Sequence, residues 1–438
     1  MENIIDFKEW FVKNYKTFED NLNGEKTPEL HRIRKEALKN FSDLSLPTLK
    51  DEEWRYTNIS PLLKYNFILP QEDLKISDKQ VKKFLFGEID SNILIFINGK
   101  FSEENSKLLN LPEGTIAGSI SDAVKNNPEI IEKHFSKYAS PSNQIFTALS
   151  TAYTKDGAFV YIPDGKIVEE PIHIIFITST SEDKIITQPR NLFVASENSQ
   201  VTIIEHYVSE NNNIYFTNSV TEIVASDNAI VDHYKIQEES INAFHIARVE
   251  IDQERNSNFT SHSISTGGVI TRNDINARFN GDGGECTLNG LFLLQDNQLF
   301  DAHTLIDHAN PHCNSHEHYK GILDDSSRGV FNGKVFVRQD AQKTNAFQQN
   351  NNILLSNNAL VNTKPQLEIF ADDVKCSHGA TIGQIDEEAR FYLKSRGIGE
   401  EAANAILIHA FASDVIKSMK MEPVRNYLED ILSKRFNQ

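Results

Sequence analysis

Four short β-rich runs recur along this chain at nearly one interval, and that interval limits the fold more than any other feature. Residues 191–198 lead to Glu205-His206, and 220–228 lead to Asp232-His233. Residues 249–256 lead to Ser261-His262, and 275–282 lead to Asn289-Gly290. The corresponding positions 206, 233, 262 and 290 are 27, 29 and 28 residues apart. The next match, Asn332-Gly333, follows 43 residues later and implies an insertion. A strand-rich period of 20–50 residues is the mark of a solenoid. One coil cannot bury its own apolar face, so each must stack on the next. A β-sandwich with look-alike strands is the plainer alternative, and the near-constant spacing favours the solenoid.

Helical patterns flank the repeats. Phe7, Trp10, Phe11, Tyr15, Phe18 and Leu22 recur at spacings of three and four, which makes one apolar face. Thr27 as N-cap and Pro28 at the first helical position start a second helix, striped by Leu30, Ile33, Leu38 and Phe41. Asn98-Gly99 within alternating apolar residues predicts a hairpin over 92–101, and 120–136 reads as helix. Near the C-terminus Asp386 is an N-cap ahead of an acidic first turn, and Gly397 is a stop signal. A longer helix from about Glu400 and a last one from Pro423 follow; they dock on the solenoid end, cap its exposed strand edges or hold a partner, and capping is the plainest of these. The expected architecture is mainly β with flanking α: a mostly helical part over 1–156, a β-helix core over 157–383 and a helical part over 384–438.

Composition excludes several functions. The formal net charge of −18 argues against nucleic-acid or anionic-membrane partners, which reward basic surface. Three scattered cysteines, Cys286, Cys313 and Cys376, do not make a disulfide framework and fit a reducing compartment. No secretory leader and no run of 18 apolar residues is present, so the cytoplasm is the expected location. The phosphate-loop pattern of ATPases is missing, so no ATP site is expected in this chain. A Gly-x-Ser-x-Gly elbow and a Cys-x-x-Cys pair are missing as well.

Residues 365–381 carry the most chemistry. They read as a strand ending in Cys376 and His378, which a strand's alternation places on one face with Cβ atoms about 6–7 Å apart. Thiolate and imidazole are good soft-metal donors, yet a closed site usually needs four. The pair is half a site, and the remainder must come from elsewhere, including another chain. The stretch 303–321 holds His303, His308, His312, Cys313, His316 and His318. Without two separated ligand pairs it reads as a solvated loop with one or two tucked histidines rather than as zinc. Cys286 reads as a buried structural thiol, and His206, His233 and His262 as a stacked packing ladder.

The motifs Pro311-His312-Cys313, Tyr319-Lys320-Gly321-Ile322, Val330-Phe331-Asn332-Gly333-Lys334, residues 340–344, 362–369 and 371–381, and Phe391-Tyr392-Leu393 followed by Ser395-Arg396-Gly397 stand together in this chain. Together they resemble the SufB/SufD family, scaffold subunits of the Suf iron–sulphur cluster assembly machinery. The match is dense over about 300–415, and Glu53-Trp54-Arg55-Tyr56-Thr57 is similar to a segment of the SufD branch. The resemblance implies a right-handed β-helix between helical domains and a non-catalytic role. It implies a complex with SufB and two copies of the ATPase SufC, and a transient iron–sulphur cluster or iron site shared with SufB at His378, with Cys376 beside it. It further implies SufB pairing along strands near 366–378 and SufC docking on helices of about 386–420. Two rivals stand beside this reading. One is a homodimer formed through the same edges. The other is a β-helix polysaccharide lyase or hydrolase using Asp232, Asp252, Asp282 and Asp301, which share no coil position.

Overall fold

The structure is a computed structural model, and it describes residues 6–22, 28–70, 74–87, 89–180 and 184–436. Thr27, the expected N-cap, lies outside them. A β-solenoid forms the centre, with two ten-stranded sheets as its walls. One sheet runs from the hairpin strand Lys100–Phe101 to Lys375–Gly383, and the other from Ile116–Ser119 to Leu360–Ile369. Strands in successive coils pair in parallel, at offsets from 27 residues (Ser261 faces Leu288) to 33 (Phe159 faces Leu192).

The repeat has a local cause. Asn198, Asn228 and Asn256 sit at one corner of successive coils with φ of 57°, 58° and 54°. Asparagine tolerates this left-handed conformation better than other side chains apart from glycine. The three side chains also ladder, Asn228 donating to Asn198 at 3.1 Å and Asn256 to Asn228 at 3.3 Å. Between corners, strands buried on both faces read as nearly continuous apolar runs. Val201, Ile203, Val231, Phe259, Leu288 and Phe331 fill the bore.

Each outer face has a helical cover. Ile204, Ile236, Ile264 and Leu291 pack under Ile408, Val415, Met419 and Leu428, from the helices Glu400–Ser418 and Glu422–Phe436. Phe216, Phe244 and Ile270 on the second sheet pack under Phe11, Trp54, Phe67 and Phe146. The expected hairpin forms as Asn92–Ile97 and Lys100–Phe101, turned by Asn98 at φ 50° and Gly99 at φ 80°. Its first strand also pairs in parallel with Ile172–Thr178, so the sheet reaches back before residue 157. The helix expected over 120–136 is two, Ile120–Asn126 and Pro128–His134. Pro128 cannot supply the N–H that would continue the first.

Register overturns two expectations. His206 faces Ile236, His233 faces Ser261 and His262 faces Asn289, so the three histidines are not equivalent and form no ladder. A slip of one residue moves a side chain to the opposite face. His206 stacks on His173 and Phe86 outside the bore, His262 stacks on Tyr234, and His233 points inward. No insertion precedes Asn332-Gly333. That pair lies on the other sheet, in Arg328–Val337, so 43 residues is about one and a half coils.

Candidate functional site

Residues 365–381 are not one strand. They span the end of Leu360–Ile369, a turn, and the start of Lys375–Gly383. These are the last strands of the two sheets, each paired on one side only. Cys376 and His378 share a face, as alternation requires. Cys376 faces Ala346 and His378 faces Gln348, both buried. Cys376 packs against Val335, Val337 and Ala346, and His378 is exposed because no further coil covers it. Burial raises the Cys376 thiol above its ordinary range, against the lowering bond from the Ala346 backbone, so it is held protonated.

Among the described residues, no three of His, Cys, Asp and Glu are grouped to hold a metal. The pair at the mouth is therefore an incomplete donor set within this chain. Its surroundings are apolar: Phe347, Leu360, Ile369, Phe370 and Ile382 are exposed around the terminal coil.

The donor-rich stretch 303–321 is not a loop. It comprises the strands Leu299–His308 and Asn314–Leu323, and alternation scatters its side chains. His308 is buried, bonded to Ser315 at 2.9 Å. Cys313 is in the core, its Sγ donating to the Gly281 carbonyl at 3.4 Å. His318 meets Asn351 outside the bore, and His316 is exposed. Cys286 is fully buried in the core, and burial pushes its thiol far up, which suits a structural residue.

His303 belongs to a clasp between the N-terminal segment and the solenoid. Its Nε2 lies 3.1 Å from Asp301 and its Nδ1 3.1 Å from Glu53. Arg272 bonds Asp301 at 2.7 Å, Asp274 at 2.8 Å and the Glu53 carbonyl at 2.6 Å, and stacks 3.9 Å above Trp54. Thr57 donates to Asp301. Burial alone would lower the imidazole, but the Asp301 carboxylate lifts it to about 9. Burial would raise Asp301, but His303 and Arg272 hold it down to about 2. Periodicity gives no sign of this cluster, because its two halves, 53–57 and 272–303, are more than 200 residues apart.

The four aspartates of the lyase alternative do not converge. Asp232 pairs with Lys420 at 2.8 Å, Asp301 with Arg272, and Asp252 with Asn280, while Asp282 lies in a turn.

Comparison with known proteins agrees with the geometry. The family described as "SUF system FeS cluster assembly, SufBD core domain" matches residues 176–411, and "SufBD protein N-terminal region" matches 5–174. The chain belongs to the SufBD family. An iron–sulphur cluster assembly SufBD family protein of Synechocystis is 33% identical over 422 residues, covering 94% of this chain and 93% of the relative. The iron–sulphur cluster assembly protein SufD of Escherichia coli is 32% identical over 383 residues, 87% of each chain. SufD of Bacillus subtilis is 26% identical over 415 residues, 93% of this chain and 94% of the relative. The SufBD core match runs through the terminal coil and into the helix Glu400–Ser418, so the open mouth and the helices beside it lie inside the family domain. No helix among the described residues is long and apolar enough to cross a membrane.

Proposed function

We propose that this chain is a non-catalytic scaffold subunit of a SufB–SufC–SufD complex, and that its terminal coil forms the SufB interface where iron or a nascent iron–sulphur cluster is held. The observation that carries the reading is the open mouth. Two soft donors share the inner face of a coil whose strand edges are both unpaired and ringed by exposed apolar side chains. An exposed edge is a template for another chain's strand, and pairing there would cover the apolar ring. It would also bring a partner's ligands to Cys376 and His378, supplying the donors this chain lacks.

A second surface suits SufC. Phe391 and Tyr392, on Glu387–Ser395, are 74% and 57% exposed, and none of that helix is buried. Asp386 caps it by accepting from the Glu388 and Ala389 N–H groups, so the helix is ordered without a covering partner. In the proposed mechanism ATP-driven motion of SufC acts through this helix on the mouth, a two-state element biased by a ligand on another subunit. The shielded Cys376 thiol becomes reactive only when that motion uncovers it.

The test is His378→Ala in a reconstituted complex with SufB and SufC, read as iron and sulphide bound under anaerobic conditions. The reading expects a large loss of both. Unchanged iron and sulphide in an intact complex would sink it. Size measurement of the chain alone and with SufB distinguishes the homodimer, which uses the same edges.

A further inference from the structure

Directly inside the mouth lies a buried side chain with a free acceptor. His378 faces Gln348 in the register, and Gln348 faces Glu317 in the coil beneath. Facing side chains of neighbouring parallel strands stack, with the strands about 4.8 Å apart. The three therefore form a file running inward from the open end. Gln348 is fully buried. Its Nε2 donates to Glu317 Oε2 at 2.6 Å, and its Oε1 has no partner. The amide is fixed from a second side. Across the bore stands Gly333, where a Cβ would lie 2.4 Å from Gln348 Nε2 and 3.0 Å from Cδ. A side chain there would push the amide, and the Phe331 ring beside it, out of place.

A glutamine whose NH₂ group is committed to a carboxylate presents its carbonyl on the other side. Glu317 lies one coil inward, and the coil on the opposite side is the one that carries His378. A buried amide oxygen without a partner is costly to leave unpaired. A histidine that ligates a metal ordinarily donates its other ring N–H to a carbonyl or carboxylate, which fixes both tautomer and orientation.

We propose that Gln348 is the positioning residue for His378: its Oε1 accepts one ring N–H, so that the other ring nitrogen presents its lone pair at the mouth. Glu317 and Gly333 hold the amide in that orientation. The inference rests on the reading of His378 as an iron donor, and it assigns Gln348 no contact with the cargo.

The experiment uses the full chain labelled with ¹⁵N-histidine, the His378 ring being assigned with His378→Ala. The wild type is expected to show one dominant neutral tautomer at His378. Gln348→Met, similar in shape but without the acceptor, should release the ring to the mixed population of a free imidazole. In the reconstituted complex the same substitution should weaken Fe(II) binding about tenfold, the lower range for loss of an outer-sphere partner. Glu317→Gln, whose amide carbonyl can still accept from Gln348, should keep the tautomer fixed. Should Gln348→Met fail to fold, Gly333→Ala displaces the amide and carries the same readout. An unchanged tautomer in whichever of these variants folds overturns the proposal. Unchanged iron in His378→Ala would instead overturn the functional reading, while the tautomer still decides the role of Gln348.

Discussion

The middle and the mouth of the solenoid both carry polar side chains in a bore that is otherwise apolar, and they differ in how the buried acids are paired. In the middle coils Glu205 and Glu239 each meet several donors, although neutral amides there, Gln237 and Asn273, also keep unpaired atoms. Lys235 Nζ lies 2.8 Å from His245 Nε2, and His245 Nδ1 lies 2.6 Å from Glu239. Glu239 also accepts from Thr217 at 2.6 Å and Gln237 at 3.1 Å. Glu205 meets His233 at 2.8 Å and accepts from Tyr207 at 2.7 Å, and from Asn191 and Thr221 at 3.0 Å each. At the mouth Glu317 Oε1, Gln348 Oε1, Asn352 Oδ1 and the Tyr319 hydroxyl are buried without partners. Buried polar groups are ordinarily satisfied, and unsatisfied ones need a reason. Paired charges lock neighbouring coils together. An acid with one oxygen unpaired, beneath an open end, is where this fold can accept something from outside.

The contrast breaks most sharply on the middle network. Glu239→Leu leaves Lys235 and His245 buried without their anion. Removing one partner of a buried charge pair costs about 3–5 kcal/mol, so a large drop in the urea midpoint is expected. Adding Lys235→Met should return part of that loss, because the uncompensated charge goes with it. A double variant as unstable as the sum of the two singles would show that the charges are not coupled, and the comparison would fail.

The clasp tests the same logic at a domain contact. Arg272→Leu removes the partner of two buried carboxylates and the cation over Trp54, with an expected cost of about 3 kcal/mol. Its titration gives a second handle. His303 is raised from 6.5 to about 9 in the folded chain, so its contribution is complete below pH 6.5 and lost as pH rises through 9. Asp301 is lowered from 3.8 to about 2, so its contribution is complete above pH 3.8 and lost as pH falls through 2. His303→Gln should remove the alkaline limb of the stability profile and soften the acid one, since its charge helps hold Asp301 down.

Much of this architecture is legible in the residues. The recurring runs give the period, the apolar stripe from Phe7 to Leu22 gives the first helix, and Asp386 and Gly397 bracket a helix as caps should. Alternation alone places Cys376 and His378 on one face. What escapes is register. Position within the runs equates His206 with His233, since both follow an acidic residue, whereas the sheet pairs His206 with Ile236, three residues away. Register also makes one and a half coils look like an insertion, while a dense run of histidines hides the alternation of two strands. The clasp escapes because Glu53 and Arg272 meet only after the solenoid has folded. Gln348 escapes because its meaning lies in an unpaired atom, which no spacing reveals.

Glu317 sharpens the comparison from the mouth side with a smaller effect. Burial pushes its carboxyl up from 4.5 to about 7 despite the bond from Gln348. A raised folded value means that the proton is held more tightly in the folded chain. The associated stability is therefore complete below pH 4.5 and lost as pH rises through 7. Glu317→Gln carries no titrating proton and should flatten that interval. A wild-type profile already flat between these values would place Glu317 in a network as satisfied as that of Glu239.

The smallest expected effect on stability is the most telling. His378 is exposed on the terminal coil, where its strand is paired on one side only. Exposed substitutions away from caps and cores usually stay within about 0.5 kcal/mol, so His378→Ala should leave the urea midpoint of the isolated chain nearly unmoved. The histidines of the middle coils behave otherwise. His245→Ala removes the group that bridges Lys235 to Glu239 and should cost several times more. Two histidines on one ladder of coils would thus separate cleanly, one needed for the fold and one dispensable to it. If His378→Ala destabilised the chain as strongly as His245→Ala does, the mouth would be a packed end rather than an open one, and its unpaired donors would need another explanation.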